Sequence, residues 1–333
     1  MRFLVVGLGS MGKRRVRNLQ ALGHSEVGGF DPRDDRRAEA TARYGIKVFG
    51  GFDEALAALK PDALVISTPP EHHMTYAWAA CERGLPCFIE ASVVEVGRIK
   101  ALAKKVAGTG IVMAPSCTMR YFPGPKLVKA LLRQGAIGAP LNVNYQTGQY
   151  LPDWHPWEKV EDFYVSQRDT GGGREIVPFE LTWLDDIFGV PEPLACVKAK
   201  LTDMNADIDD VYHCLLRYPR GVLANVTVEV ISRPRATREL RVLGSEGELV
   251  FSADENLVRT IKVGEVDWTR YPLDEGTVQG GYINPEEPYI AEMADFVSAA
   301  TSRDPALFPN TLLDDARILD TLAQLEQLAG TTQ

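Results

Sequence analysis

The chain has 333 residues, too many for one ordinary hydrophobic core and suited to two domains. Its 45% hydrophobic and 24% charged residues are those of a soluble globular protein, and a formal net charge of −9 excludes a basic footprint for nucleic acid. The opening MRFLVVGLG reaches glycine too soon for a signal peptide, and no apolar run attains the ~18 residues of a membrane span, so a cytoplasmic protein without membrane contact is expected.

The first 120 residues alternate two signals. Short apolar runs predict strands over 2–6, 27–30, 46–49, 63–66, 87–89 and 111–114. Polar, alanine-rich stretches between them predict helices over 13–22, 34–44, 52–59, 73–83 and 96–107. Six apolar strands separated by helices give a doubly wound parallel sheet, covered on both faces. After residue 120 the pattern changes. A helix over 125–134 starts on proline; 141–147 and 222–231 alternate with period two, as half-solvated strands do. Runs at 238–243 and 248–251 flank Gly244-Ser245-Glu246-Gly247, a hairpin signal. Two late helices follow, one marked by Ile290, Met293, Phe296 and Val297. The other is capped by Asn310 and buries Leu313, Ala316, Ile318, Leu319 and Leu322. The fold class is therefore α/β: a dinucleotide-binding domain over 1–120, then a domain over 121–333 built on a large open, mostly antiparallel sheet.

Between the first strand and helix stands Gly7-Leu8-Gly9-Ser10-Met11-Gly12, a G-x-G-x-x-G. Gly7 permits the tight turn, Gly9 lets a pyrophosphate approach the backbone, and Gly12 packs helix on strand. The N–H groups of Ser10 and Met11 open the helix toward the phosphates. Asp31, 19 residues after Gly12 and at the end of the second strand, is placed to hydrogen-bond an adenosine ribose. A carboxylate there favours NAD over NADP, although Arg33, Arg36 and Arg37 would admit NADP if Asp31 swung out and Arg33 took the 2′-phosphate. The basic run Lys13-Arg14-Arg15-Val16-Arg17 beside this loop reads as a solvated helix face or a phosphate contact. Thr68 and Pro69, beyond the carboxyl end of the strand over 63–66, should border the cofactor, and His73 opens the next helix.

No metal is implied, because the five histidines show no ligand spacing and the adjacent His72 and His73 point about 100° apart on a helix. The cysteines Cys81, Cys87, Cys117, Cys196 and Cys214 form no C-x-x-C pair and read as buried thiols of a reducing compartment.

Taken together, GLGSMG, STPPEHH, FIEAS, MRYFPGPKLVKALL, IGAPLNV, TGGG and LRVLGSEGELVF resemble the Gfo/Idh/MocA oxidoreductases, NAD(P)-dependent dehydrogenases of sugars and cyclitols. Nearly the whole chain takes part. The resemblance implies a Rossmann domain followed by an open-sheet domain that walls the substrate pocket and joins copies as a homodimer or homotetramer. Within the family, GQYLPDWHPWE resembles a branch linked to cell-surface sugar biosynthesis. It also implies two proton handlers that are missing here. The family's E-K-P lysine falls on Ala91 and its proline on Ser92, while Glu90, which in the family lies by the nicotinamide ribose, is retained. After Gly171-Gly172-Gly173 the family has an Asp and then a His; counting forward places these on Val177 and near Glu180, and counting back from Phe188-Gly189 places the His on Phe179.

A positioned base is worth about 10²–10⁴-fold in rate, so a methyl at position 91 leaves a gap to fill. Glu180, in an apolar setting beside Phe179 and Trp183, could rise toward neutral pKa and act as acid/base, or form a salt bridge. His155, between Trp154 and Trp157, suits a sugar-stacking wall; Tyr121 could offer its phenol; Glu90 could be reached by a relaying water. Three readings follow: a dehydrogenase of a sugar-like small molecule with a rewired proton path, an enzyme using tightly held NAD for epimerisation or elimination, or a dinucleotide binder without chemistry.

Overall fold

The structure, a computed structural model, describes residues 1–154 and 158–330. In chain order the first elements are β1 (Phe3–Val6), α1 (Ser10–Ala21), β2 (Val27–Phe30), α2 (Asp34–Tyr44), β3 (Lys47–Phe49) and α3 (Phe52–Leu59). They continue as β4 (Ala63–Ile66), α4 (His73–Glu82), β5 (Cys87–Ile89), α5 (Val96–Val106) and β6 (Met113–Pro115). The six strands form one parallel sheet in the order β3-β2-β1-β4-β5-β6. All four residues of β1 and all four of β4 are fully buried, which is why these central strands read as unbroken apolar runs.

Next come α6 (Pro123–Arg133), β7 (Pro140–Gly148), α7 (Gly173–Phe188), β8 (Glu192–Ala199), β9 (Val211–Arg217), β10 (Leu223–Glu229), β11 (Thr237–Gly244), β12 (Gly247–Ser252), β13 (Leu257–Lys262) and β14 (Thr269–Pro272). These eight strands make a second sheet, ordered β14-β13-β12-β11-β7-β10-β9-β8. Only β7 and β10 run parallel; the other neighbours are antiparallel. Val143, Tyr145, Leu240, Val242, Val226, Val228 and Cys214 line its buried face, the period-two pattern realised. The chain closes with α8 (Glu287–Ser302) and α9 (Leu312–Gly330).

By contact the chain forms two compact units, 1–118 with 276–317, and 119–275 with 318–333. The reading in two consecutive blocks leaves out this return of 276–317 to the first unit, which no local pattern announces. Its anchor is α1. Arg14 donates from Nε to Glu286 Oε1 at 3.1 Å, Arg17 from Nη2 to the same oxygen at 2.8 Å, and Asn18 from Nδ2 to Glu286 Oε2 at 3.0 Å. The Tyr282 ring packs against both guanidinium groups, and its hydroxyl donates to the Ser10 carbonyl at 2.9 Å. Arg14 and Arg15 of the basic run are therefore not part of a solvated face: they are 3% and 0% exposed, held by acids of the returning segment.

Two details at α9 also differ from expectation. Asn310 does not cap it; its Nδ2 donates to the Pro115 carbonyl, and Thr311 does the capping, exchanging hydrogen bonds with Asp314. Leu312 is buried while Leu313 is 63% exposed, one position off the expected face.

Candidate functional site

In the first unit the site grows from the crossover between β1 and β4, where the strand order reverses and a crevice opens beyond the carboxyl ends. Gly7 leaves β1 with φ +91°, and a Cβ on it would stand 2.6 Å from the Ser67 carbonyl oxygen. Gly12 is tighter still: a Cβ there would lie 1.8 Å from the Gly7 carbonyl oxygen. Around Gly9 the nearest atom to such a Cβ is in the Arg36 guanidinium, at 3.5 Å. Helix α1 begins on Gly9 with no side-chain cap and no acid in its first turn, so its leading N–H groups and positive dipole end are left for an anion. These features fit a dinucleotide pyrophosphate. Gly12→Ala should abolish the rise in melting temperature caused by NAD and cost about 1–3 kcal/mol of stability, measurable by thermal melts with and without coenzyme.

Asp31 is 2% exposed and stitched to the glycine loop: Leu8 N donates to Oδ2 at 2.8 Å, and Arg33 N to Oδ1 at 2.9 Å. It is not swung out. The Arg33 guanidinium is occupied by Asp35 at 2.6 Å; the cation beside the Asp31 carboxylate is Arg36, at 3.7 Å. The alternative in which Asp31 swings out and Arg33 takes a 2′-phosphate did not reckon with the local Arg33–Asp35 pair.

Thr68 follows β4, and its Oγ1 is buried with no partner among the described residues, a hydroxyl left for a ligand. Pro69 continues the turn. His73 serves this turn from below. Its Nε2 lies 2.9 Å from the Thr68 carbonyl oxygen and its Nδ1 3.3 Å from Ser92 Oγ, so both ring nitrogens are used within the protein. Burial holds its pKa below the ordinary histidine range, and a neutral ring suits that bracket. Ser92, where the family pattern has proline, thus has a partner of its own.

Glu90 is gripped from two directions. Arg15 donates through Nε to Oε1 at 2.7 Å and through Nη2 to Oε2 at 3.0 Å, and Ser67 Oγ reaches Oε1 at 3.4 Å. The same Nη2 meets Glu292 Oε2 at 3.0 Å. Glu292 in turn accepts from Ser116 Oγ, Cys117 N and Thr118 Oγ1 at 3.1, 2.6 and 2.6 Å. Burial works against the Arg15 charge, but Glu90 and Glu292 outweigh it and keep the guanidinium firmly protonated. Arg15 is the residue that sequence reasoning missed here. Its bridge joins α1, the end of β5 and α8, parts 75 and 277 positions apart.

In the second unit Glu180 is fully buried on α7. Its expected apolar setting is not what surrounds it. Tyr145 OH and Trp183 Nε1 donate to Oε2 at 2.5 and 2.8 Å, and Arg238 Nη2 donates to Oε1 at 2.6 Å. The Tyr145 hydroxyl, the Trp183 ring nitrogen and the Arg238 guanidinium take up both its oxygens, so the salt-bridge alternative describes it. Tyr121 is buried, with Lys126 Nζ 5.3 Å from its ring centre. Trp154 packs on the apolar cluster of Leu151, Val165, Ala206, Ile208 and Val230; His155 and Trp157 lie outside the described residues. The triple glycine has a steric cause: a Cβ on Gly171 would lie 1.9 Å from the Val165 carbonyl oxygen, and one on Gly173 2.6 Å from the Tyr212 ring. All five cysteines are buried thiols outside any disulfide, with Cys196 opposite Cys214 in the β8–β9 ladder. Among the described residues no group of three side chains could hold a metal, and no helix is long and apolar enough to cross a membrane.

Residues 1–114 match the family model described as "Oxidoreductase family, NAD-binding Rossmann fold", and residues 126–250 match "GFO/IDH/MocA C-terminal domain". The chain belongs to the GFO/IDH/MocA oxidoreductase family. As a GFO/IDH/MocA protein it carries that family's NAD-binding domain. Among curated relatives, trans-1,2-dihydrobenzene-1,2-diol dehydrogenase of Oryctolagus cuniculus is 26% identical over 243 residues, 69% of each chain. Inositol 2-dehydrogenase of Acidiphilium cryptum is 23% identical over 90% of this chain and 86% of its own. Among solved structures, an oxidoreductase from Agrobacterium radiobacter in complex with NAD+, L-tartaric acid and magnesium superposes with a TM-score of 0.85 at 14% identity, covering 100% of this chain and 97% of its own.

Proposed function

We propose that the protein is an NAD-dependent dehydrogenase of a sugar, polyol or sugar derivative, whose proton path does not run through position 91. The observation that carries this is the glycine cradle with Asp31 locked beneath it: the Leu8 N–H to Asp31 bond fixes a carboxylate at the edge of a loop that only glycine can build. In this reading Gly7, Gly9, Ser10, Met11 and Gly12 hold the pyrophosphate, Asp31 the adenosine ribose, and Arg36 guards that carboxylate. Thr68 and Pro69 border the nicotinamide half, His73 positions their turn, and Glu90 sits by the nicotinamide ribose. The bound dinucleotide supplies a hydride acceptor or donor. What the chain must add is a place for the substrate's hydroxyl proton, and Ala91 offers none.

The relatives' dihydrodiol and cyclitol substrates support a vicinal-diol or polyol group on the substrate. The loop GQYLPDWHPWE supports a role in cell-surface sugar biosynthesis, with a nucleotide-linked sugar as substrate. Assembly of copies through the second sheet is supported by Val197, Leu215 and Leu223, which stand 58%, 48% and 47% exposed on the face opposite its core. The test is calorimetry with NAD and NADP, followed by absorbance at 340 nm over a panel of cyclitols, aldoses and nucleotide sugars. Binding of NAD ahead of NADP and turnover on one class are expected. Failure of both coenzymes to bind at millimolar concentration would sink the reading.

A further inference from the structure

In the first unit, two strand ends that border the dinucleotide loop are joined by a polar chain with a fixed direction. β4 runs on into Ser67 and Thr68, and β5 into Glu90, Ala91 and Ser92. Ser67 N donates to the Val6 carbonyl at 2.8 Å, and a Cβ on Gly7 would meet Thr68 N at 3.1 Å. The turn at Thr68 therefore lies against the glycine loop itself. Glu90 N donates to the Ile66 carbonyl at 3.0 Å, which sets the second strand end beside the first. His73, 1% exposed, bridges the two: its Nε2 is 2.9 Å from the Thr68 carbonyl oxygen and its Nδ1 3.3 Å from Ser92 Oγ.

A carbonyl oxygen can only accept, so the Nε2 of a neutral ring beside it must carry the hydrogen. Nδ1 is then bare and accepts, which makes the Ser92 hydroxyl the donor. Burial holds the ring neutral; Glu90 and Glu71 pull toward the cation, and His72 pushes against it. The chain thus runs from the Ser92 hydroxyl to Nδ1, and from Nε2–H to the Thr68 carbonyl. It ends on a residue whose own Oγ1 is shielded from solvent and unpartnered among the described residues. A methyl at position 92 would leave Nδ1 a buried acceptor without a donor and release the ring.

We propose that Ser92 is a positioning residue for the coenzyme: its hydroxyl fixes His73 in the Nε2–H form, and His73 holds the Thr68 turn toward the nicotinamide half. The role rests on the dinucleotide reading above and adds to it a residue that the family pattern does not supply, since a proline at this position has no hydroxyl to donate. Glu90, on the same strand end, is held separately by Arg15.

Nitrogen-15 NMR of the full chain reads the tautomer, with the His73 signals identified by their loss in His73→Gln. At about pH 7 the parent should show a neutral Nε2–H ring whose Nδ1 has the shift of a hydrogen-bonded acceptor. In Ser92→Ala that shift should move to the unbonded position. Calorimetry reads the role: Ser92→Ala should weaken NAD binding about three- to tenfold and leave ADP, which lacks the nicotinamide half, at parent affinity. Adding Ser92→Ala to His73→Gln should cost nothing further, because the hydroxyl acts through the ring. A hydrogen on Nδ1 of a neutral ring in the parent overturns the assignment without any coenzyme. Parent-like NAD affinity in Ser92→Ala, equal losses for ADP and NAD, or additive losses in the double variant overturn the positioning role and leave the dinucleotide reading intact. A parent that binds neither NAD nor ADP overturns that reading, and the role with it.

Discussion

Arg15→Met is expected to lose about 3–5 kcal/mol of stability, the largest effect of any single replacement in the first unit. The guanidinium is fully buried, pairs with Glu90 and Glu292, and lies 4.4 Å from the centre of the Phe88 ring. Removing it leaves two carboxylates facing each other in a low-dielectric setting, and that uncompensated charge costs far more than the lost contacts. The pH dependence gives the cause away. Burial already raises the pKa of Glu292 and Arg15 pulls it down. Without Arg15 the folded pKa rises further above the unfolded value, so stability is retained at acid pH and lost as pH climbs. Denaturant titrations at about pH 5 and pH 8 should therefore show the larger deficit at pH 8. Arg15→Lys should recover part of the loss, since it keeps the charge but not the two-pronged grip on Glu90. A deficit below about 1 kcal/mol at both pH values would mean that this triad does not hold the returning segment. NAD affinity should fall as well, because Glu90 loses the partner that aims it.

Arg238→Met should damage the second unit by a similar margin, about 3–5 kcal/mol. Its Nη2 neutralises Glu180, and its Nε donates to Tyr145 OH at 3.2 Å. Burial and the Glu180 charge keep the Tyr145 phenol well above its usual range, so it stays a neutral hydroxyl and cannot replace the missing cation. Glu180→Gln is the informative companion. As a structural ion-pair partner it should lower the denaturation midpoint without erasing a limb of the pH–rate profile. Erasure of that limb would return Glu180 to the acid/base role expected from sequence.

What could be read along the chain was whatever depends on near neighbours. The spacing Gly7-Gly9-Gly12 encodes its own turn, because a Cβ at Gly12 cannot coexist with the carbonyl of Gly7 five positions earlier. Apolar runs such as 27–30 and 63–66 fell on strands to the residue, since a strand buried on both faces has no other way to be written. The strands β13 and β14 went unread, and β8 and β9 were marked only by strand-like runs around Cys196 and Cys214. On β9 the exposed His213, Leu215 and Arg217 alternate with buried residues, yet the flanking β8 is half-exposed and ends at the sheet's edge, so its pattern is weak. Charges were the least legible. Arg14, Arg15 and Arg17 look like a solvated stripe until Glu286 and Glu292 arrive from more than 260 positions downstream.

The sequence by itself thus determined the dinucleotide loop and the alternating first domain, both matters of residue type at short spacing. Only the tertiary structure decided which acids face cations and which face apolar walls. Glu180 and Glu175 stand five positions apart on one helix, yet one meets Arg238 and the other a tyrosine, with its second oxygen buried and without a partner among the described residues. Ionisation follows the local dielectric and the nearest charge, and both are set by residues that the chain brings together only when it folds.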